Sequence, residues 1–313
     1  MKAIIGLDIG GTKVLGALYN EAGELLERGK KKTKANEGID TVMGQVYKVI
    51  DDLLAFPEVE VTGIGVGVPG LVNQKGVVTF SPNIPFKDFD LADRIQKKYH
   101  LPVVVGNDVN VAMYGEFRHT ESSYKNVLGL FIGTGIGGAI IIDEKLYIGQ
   151  GSAAEFGHMV VNADGAYCGC GAQGCLEAHA SKTAIQKAIT TQLHKGRKSM
   201  LADLLKEDGA VIKSSSLKKA FDESDPLAVE VMLKAARFLG IAVGTLINQF
   251  HPEAIIFGGG VIEAMGESFV DLVAREASQH AMPGLMETVD LKCATLGDDA
   301  GIFGAYQLAK ATI

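Results

Sequence analysis

No stretch of the chain is long and apolar enough to cross a bilayer as a helix. No secretory pattern precedes the first strand-like run, Ala3-Ile4-Ile5-Gly6-Leu7. A membrane-spanning or exported protein is therefore not expected, and the cytoplasm is the default compartment. Positive charge is in short supply as well: 30 Lys and Arg stand against 37 Asp and Glu, for a net charge of −7. That balance argues against general affinity for nucleic acid or membrane surfaces. The strong basic run, Lys30-Lys31-Lys32 with Lys34, reads as a solvated strand end. Low-complexity sequence is missing too, because the 39 glycines cluster at turns between apolar runs. Cysteine is rare, with four in 313 residues, and a cytosolic chain seldom keeps disulfides.

The rarity of cysteine makes its placement informative. Cys168, Cys170 and Cys175 fall within eight residues, and His158 lies ten positions before the first of them. Three thiolates and one imidazole make the closed tetrahedral set that structural zinc prefers. Gly169, Gly171 and Gly174 lie among the cysteines and let the backbone fold tightly around one ion. The competing readings are ordinary reduced thiols or a disulfide, although Cys168 and Cys170 are too close to pair comfortably. Glu155 and Glu177 flank the set, so a metal-pinned loop would fix two carboxylates in space. Cys293 stands alone and reads as a small core residue.

Length and a 47% hydrophobic content suggest about two globular domains. A glycine-rich turn recurs between them. Leu7-Asp8-Ile9-Gly10-Gly11-Thr12-Lys13-Val14 aligns without a gap with Leu130-Phe131-Ile132-Gly133-Thr134-Gly135-Ile136-Gly137, at an offset of 123 residues. Each copy is an apolar strand, a glycine turn and a second apolar strand, which predicts two similar α/β halves, each with a hairpin. Such a turn is either a plain Gly-Gly hairpin or a nest of backbone N–H groups facing a phosphate. The six-residue spacing of a P-loop is missing. A third run, Phe257-Gly258-Gly259-Gly260-Val261, ends a strand and precedes a helix, where a nucleoside could approach a backbone free of side chains.

Between the turns the pattern predicts a helix over 39–55, a strand over 61–68, a proline-stiffened loop over 81–86, a helix over 91–99 and a strand over 102–105. Asn107 and Asp108 then sit at a strand end beside a helix N-terminus. Ligands bind at such positions in open α/β sheets, but an Asp there can equally be an N-cap. Beyond the cysteines, helices are expected over 182–195, 226–250 and 266–280, a strand over 291–296, and a helix opening near Asp298. The stretch 196–216 is polar and mixed.

Together these motifs resemble the ROK family of the actin-like sugar-kinase superfamily, in family order and across essentially the whole chain. Asp8 to Lys13 looks like its first phosphate motif, Gly133 to Gly138 its second, and Ile256 to Val261 its adenosine motif. Glu155-Phe156-Gly157-His158 with Cys168 to Glu177 looks like its zinc and sugar signature. The resemblance implies an α/β, actin-like (ribonuclease H-like) duplicated fold of two domains with a cleft between them that closes on sugar. The small domain would hold 1–117 plus 299–313, and the large domain 118–298. It also implies ATP-dependent phosphorylation of a hexose, glucose first among the candidates, with Asp108 as general base. Asn83, Asn107, Asp108, Glu155, His158 and Glu177 would hold the sugar. Asp8, Gly10, Gly11, Thr12, Lys13, Gly133, Thr134, Gly135, Gly258, Gly259 and Gly260 would hold ATP and Mg²⁺, and His158, Cys168, Cys170 and Cys175 a structural Zn²⁺. Asp8 is the acidic candidate near Mg²⁺, or else a turn-stabilising aspartate. Loss of zinc is expected to weaken sugar binding far more than nucleotide binding. N-acetylmannosamine, fructose or another hexose as substrate, polyphosphate as donor, and a non-catalytic sugar-sensing regulator are the rivals. Family repressors carry an N-terminal DNA-binding domain, for which a hairpin starting at residue 8 leaves no room. The partners expected are a hexose and a nucleotide, with no nucleic acid or membrane, and the chain is expected to form a homo-oligomer, a dimer or tetramer.

Overall fold

The computed structural model describes residues 1–120, 123–205 and 211–313, so part of the polar stretch 196–216 lies outside the described residues. The chain opens with the expected hairpin: β1 (Lys2–Ile9) and β2 (Lys13–Asn20) pair antiparallel, with Ile9 opposite Val14. Strand β3 (Leu25–Lys32), whose lysine-rich end the sequence marked as a solvated strand end, joins the free edge of β2. Helix α1 (Ile39–Leu54) follows, then β4 (Glu60–Val68), parallel to β1. Three short strands, β5 (Leu71–Val72), β6 (Val77–Phe80) and β7 (Lys87–Asp90), form a separate small sheet. Then come α2 (Leu91–Tyr99), β8 (Val103–Asn107), parallel to β4, and α3 (Asp108–His119).

The second set repeats the plan. Strands β9 (Val127–Ile132), β10 (Ile136–Ile142) and β11 (Lys145–Leu146) are followed by helices α4 (Glu177–Ala180), α5 (Lys182–His194), α6 (Ser214–Asp222) and α7 (Pro226–Phe250). Next are β12 (Ala254–Gly258), α8 (Gly260–Met265), α9 (Glu267–Ala277), β13 (Asp290–Cys293) and α10 (Ala300–Thr312). The first large sheet runs β3-β2-β1-β4-β8 and the second β11-β10-β9-β12-β13. In each, three strands are laid down in succession and two later ones add in parallel on the other side. The internal repeat in the sequence is thus a repeat of topology.

The chain divides into two compact units. The first is Met1–Ser123 with Ala139–Ala154 and Leu296–Ile313, and the second Tyr124–Gly138 with Glu155–Thr295. This departs from the boundaries read from sequence, because residues 118–123, 139–154 and 296–298 group with the first unit. Part of the reason is local. Gln74 Nε2 donates to Gly149 O at 2.8 Å, and Gly151 lies against the backbone of Val72 and Asn73.

The first unit's core is built by pattern. Helix α1 buries Val42, Val46, Val49, Ile50 and Leu53 at helical spacing, and the strands supply Ile5, Leu7, Ile9, Ile64 and Val66. Helix α10 covers the sheet at closer range. A Cβ on Gly6 or Gly65 would strike the backbone of Ile302 or Ala305, so these two glycines let a helix lie directly on strand backbone. Tyr306 is fully buried there, and its Oη donates to Asn20 O at 3.2 Å.

In the second unit α7 starts where its sequence says it should. Asp225 caps it by accepting from Leu227 N and Ala228 N at 3.1 and 2.9 Å, with Pro226 in the first turn. Its buried face, including Leu227, Val231, Ala235, Leu239, Ala242 and Leu246, has the spacing of a helix. No helix among the described residues is long and apolar enough to cross a membrane.

Candidate functional site

The first unit assembles its acidic groups around the β1–β2 turn. Asp8 is the penultimate residue of β1, and Gly10, Gly11 and Thr12 make the turn that Lys13 leaves as β2. Gly10 N donates to Lys13 O at 2.9 Å and closes the turn. Thr33 braces it from the side, donating from Oγ1 to Gly10 O at 2.5 Å and from its backbone N to Thr12 O at 3.0 Å. Sequence reading missed Thr33, which directly follows the basic strand end and is buried by contacts that the local pattern does not announce. Asn83 lies beside the turn, since a Cβ on Gly11 would come within 2.9 Å of the Asn83 Cβ. Lys13 Nζ pairs with Asp298 at 3.2 Å, an exposed contact that contributes little to stability.

Asn107 and Asp108 divide the two readings that sequence left open for this helix start. The N-cap of α3 is Asn107, whose Oδ1 accepts from Asn110 N at 3.1 Å. Asp108 is therefore released from capping. Its Oδ1 accepts from Val109 N at 2.9 Å and from Asn107 Nδ2 at 3.1 Å, so both of these bonds fall on one oxygen. Asn107 Nδ2 also donates to Gly70 O at 3.0 Å, so the amide that orients Asp108 is itself tied to the end of β4. Asn110, buried and hydrogen-bonded to Asn107 Oδ1 at 3.2 Å, is a supporting residue that spacing alone did not single out.

Burial lifts the Asp108 carboxyl above its ordinary value, against the pull of the hydrogen bonds on Oδ1. Burial, reinforced by the Asp108 charge and partly opposed by Lys13, pushes Asp8 up to about 6. A carboxylate raised on folding makes the folded state costlier to keep as pH rises from 3.8 through about 6. Asp8→Asn should therefore stabilise the ligand-free protein by about 2 kcal/mol at pH 7 to 8. The gain should vanish below pH 4, and thermal melts across that range check it. Equal melting temperatures at pH 8 would contradict the assignment.

The second unit holds the other half of the candidates. A one-turn 3₁₀ helix over Phe156–His158 carries His158 just after Glu155. The cysteine loop folds back on it: Leu176 N donates to Met159 O at 2.8 Å, Cys168 N to Ala172 O at 2.8 Å and Gly171 N to Cys168 O at 3.0 Å. Gly171 and Gly174 sit at φ 91° and 83°, a region that disfavours other residues. The result brings one ligand atom each from His158, Cys168, Cys170 and Cys175 within 4.8 Å of one another. Cys168 Sγ lies 3.6 Å from His158 Nδ1, and Cys170 Sγ lies 3.8 Å from Cys175 Sγ. A tetrahedron with Zn–S of about 2.3 Å has edges of nearly that length, so the donor set fits zinc. All four cysteines are free of disulfides. Burial pushes the Cys175 thiol up to about 12 and raises Cys168, whereas the backbone N–H of Ala172 draws Cys170 down. A cation is what would let three neighbouring thiols ionise together. With Nδ1 facing the sulfurs, His158 Nε2 turns toward Glu155, 3.9 Å from its Oε2.

The remaining turns belong to this unit. Gly133 N donates to Gly135 O at 2.9 Å, closing the second turn much as Gly10 N closes the first. Glu177 opens α4, and its Oε2 accepts from Ile136 N at 2.8 Å. At the third run, the Phe131 ring packs on Gly258, and Gly259, at φ 84°, lies on the backbone of Ile132. Neither Gly258 nor Gly259 has room for a side chain, while a Cβ on Gly260, at the start of α8, would have among the described residues only Ser214 Oγ within 4 Å, at 3.8 Å.

Comparison with known proteins follows the same outline. The ROK family pattern matches residues 4–312. The glucokinase of Halalkalibacterium halodurans is 33% identical, over 98% of this chain and 94% of its own. A ROK family glucokinase from Streptomyces griseus, solved in complex with glucose and AMPPNP, has a TM-score of 0.81 at 33% identity, covering 99% of each chain. The xylose repressor of Caldicellulosiruptor bescii is 29% identical over 98% of this chain and 77% of its own length.

Proposed function

The chain belongs to the ROK family, and from that premise we propose that it is an ATP-dependent sugar kinase that converts glucose to glucose 6-phosphate. Full-length similarity to glucokinases supports the activity. The observation that carries the chemistry is Asp108, whose two hydrogen bonds fall on Oδ1 and leave Oδ2 to accept a proton. Oδ2 takes the proton of the glucose 6-hydroxyl as that oxygen attacks the γ-phosphorus of ATP, and ADP leaves. General-base help of this kind is worth about 10²–10⁴ in rate.

The other residues take positions around that step. Asn107 orients Asp108, and Asn83, Asn107, Glu155, His158 and Glu177 hold the remaining sugar hydroxyls. A missing hydroxyl would leave one of these groups unpaired, which is how such a site rejects other sugars. Backbone N–H groups of the turns at Gly10 to Lys13 and Gly133 to Gly135 bind phosphate oxygens, and Gly258 to Gly260 receive the nucleoside. Mg²⁺, with Asp8 beside it, would neutralise charge on the transferring phosphoryl group. Zn²⁺ on His158 Nδ1, Cys168, Cys170 and Cys175 would have a full coordination shell and act structurally. That arrangement leaves His158 Nε2 to donate to the sugar.

The similarity to a xylose repressor favours a second reading, a sugar-binding regulator without catalysis. A coupled ADP-release assay separates them, run with glucose, fructose, mannose and N-acetylmannosamine and with ATP against polyphosphate. Glucose with ATP should give the highest kcat/KM. A higher value for another sugar would reassign the substrate, faster turnover with polyphosphate would reassign the donor, and sugar binding without turnover would favour the regulator.

A further inference from the structure

The second glycine turn is held almost entirely by one short stretch of chain. Glu177 Oε2 accepts from Ile136 N at 2.8 Å, Lys182 N donates to Gly133 O at 2.9 Å and Thr183 Oγ1 donates to Thr134 O at 2.7 Å. A Cβ on Gly135 would collide with the Glu177 carboxylate. A second stretch closes in on the same turn, because Gly157 lies so near Ile136 O that it has no room for a side chain. Both stretches adjoin the metal-ligand cluster. Gly157 precedes His158, Glu177 follows Cys175 by two residues, and Glu177 Oε1 lies 3.8 Å from Cys168 Sγ.

These bonds also sort the turn's donors. Gly133 N is spent on Gly135 O and Ile136 N on Glu177. Thr134 N and Gly135 N remain for a phosphate. The carboxylate bond to Ile136 N is charge-assisted and directional, and it fixes that N–H on Glu177.

We propose that Glu177 is a positioning residue for the nucleotide: its carboxylate locks the phosphate-binding turn onto the metal-bearing loop, so that the two behave as one part. This rests on the reading of Gly133–Gly135 as a phosphate turn. It also revises the expectation that the metal loop serves sugar recognition and leaves nucleotide binding largely untouched. With Oε2 committed to Ile136, only Oε1 is left to face a sugar.

The test measures AMPPNP affinity by calorimetry with Mg²⁺ and without sugar, on zinc-replete protein whose metal content is assayed for each variant. Glu177→Ala should raise Kd roughly tenfold, the loss expected for one hydrogen bond to a charged group. Glu177→Gln keeps an oxygen that can accept from Ile136 N and should stay within about twofold of wild type. Gly135→Ala should displace the carboxylate and weaken binding by a similar factor, and the double variant Gly135→Ala/Glu177→Ala should be no worse than Glu177→Ala alone. Such non-additivity is the signature of two changes acting on one contact. An unchanged Kd in Glu177→Ala at full zinc content would overturn the proposal, as would a Gln variant as weak as the Ala variant or additive losses in the double. Failure of the wild-type protein to bind AMPPNP would instead sink the phosphate reading on which the proposal stands.

Discussion

Asp108→Asn should lower kcat at least about a hundredfold while glucose affinity changes little. The substitution is nearly isosteric. The amide oxygen can take the place of Oδ1 and keep the bonds from Val109 N and Asn107 Nδ2 that fix the side chain, at 2.9 and 3.1 Å. What it loses is the proton acceptor at Oδ2, so the defect should fall on turnover and spare the ground state. Asp108→Ala should show the same loss of kcat with a further cost in stability, because Asn107 Nδ2 then keeps only Gly70 O as a partner. Turnover and sugar binding measured on each folded variant check the split. Near-normal turnover in Asp108→Asn would remove Asp108 from the mechanism.

The second large effect concerns the metal. Protein purified without chelator should carry about one zinc per chain, and Cys175→Ser should lose it together with most of the activity. Cys175 is fully buried and Cys168 nearly so, so loss of the ion leaves buried thiols with no cation to balance them. The loop that spaces Glu155, His158 and Glu177 then has little but its own short hydrogen bonds to hold it. Because Glu177 also grips the second glycine turn, sugar and nucleotide affinities should fall together. Zinc-loaded protein should still need added Mg²⁺, since four protein ligands leave zinc no open position. Elemental analysis, activity and separate titrations with glucose and AMPPNP provide the readout. Absence of zinc with full activity in Cys168→Ser would contradict the assignment.

Much of this molecule was legible in its sequence because the signals were local. The apolar spacing from Leu227 to Leu246 gave α7 its full length from Pro226 to Phe250, and the gapless match of the two glycine turns announced the duplicated sheets. The four residues that could hold a metal were visible as residue types at short spacing. What escaped depended on partners distant in sequence. Strand β3 is largely exposed and rich in lysine, so only its basic end was legible and the rest lacks the alternation that marks a half-buried strand; pairing with the free edge of β2 extends it. Asn107, not Asp108, caps α3, a distinction between adjacent polar residues that no pattern decides. The grip of Glu177 on Ile136 N spans 41 positions and has no signature in either segment. The grouping of residues 139–154 with the first unit rests on contacts with the turn near Gln74, equally invisible from spacing.

Helix α10 carries one more implication, for the order in which the molecule can be made. Tyr306 reaches Asn20 across 286 positions, and the backbone of Ile302 and Ala305 rests on Gly6 and Gly65. While the chain is emerging from a ribosome, the first sheet is laid down early, yet the helix that covers one of its faces arrives only after the whole second unit has been synthesised. At about 5–20 residues per second, that face, with Ala17 and Tyr19 on it, stays open for roughly ten seconds or more in every round of translation. The second unit waits less, because β9 finds its parallel partner β12 about halfway along that interval. The earliest strands of the first sheet thus wait longest for their cover, which is complete only when α10 appears.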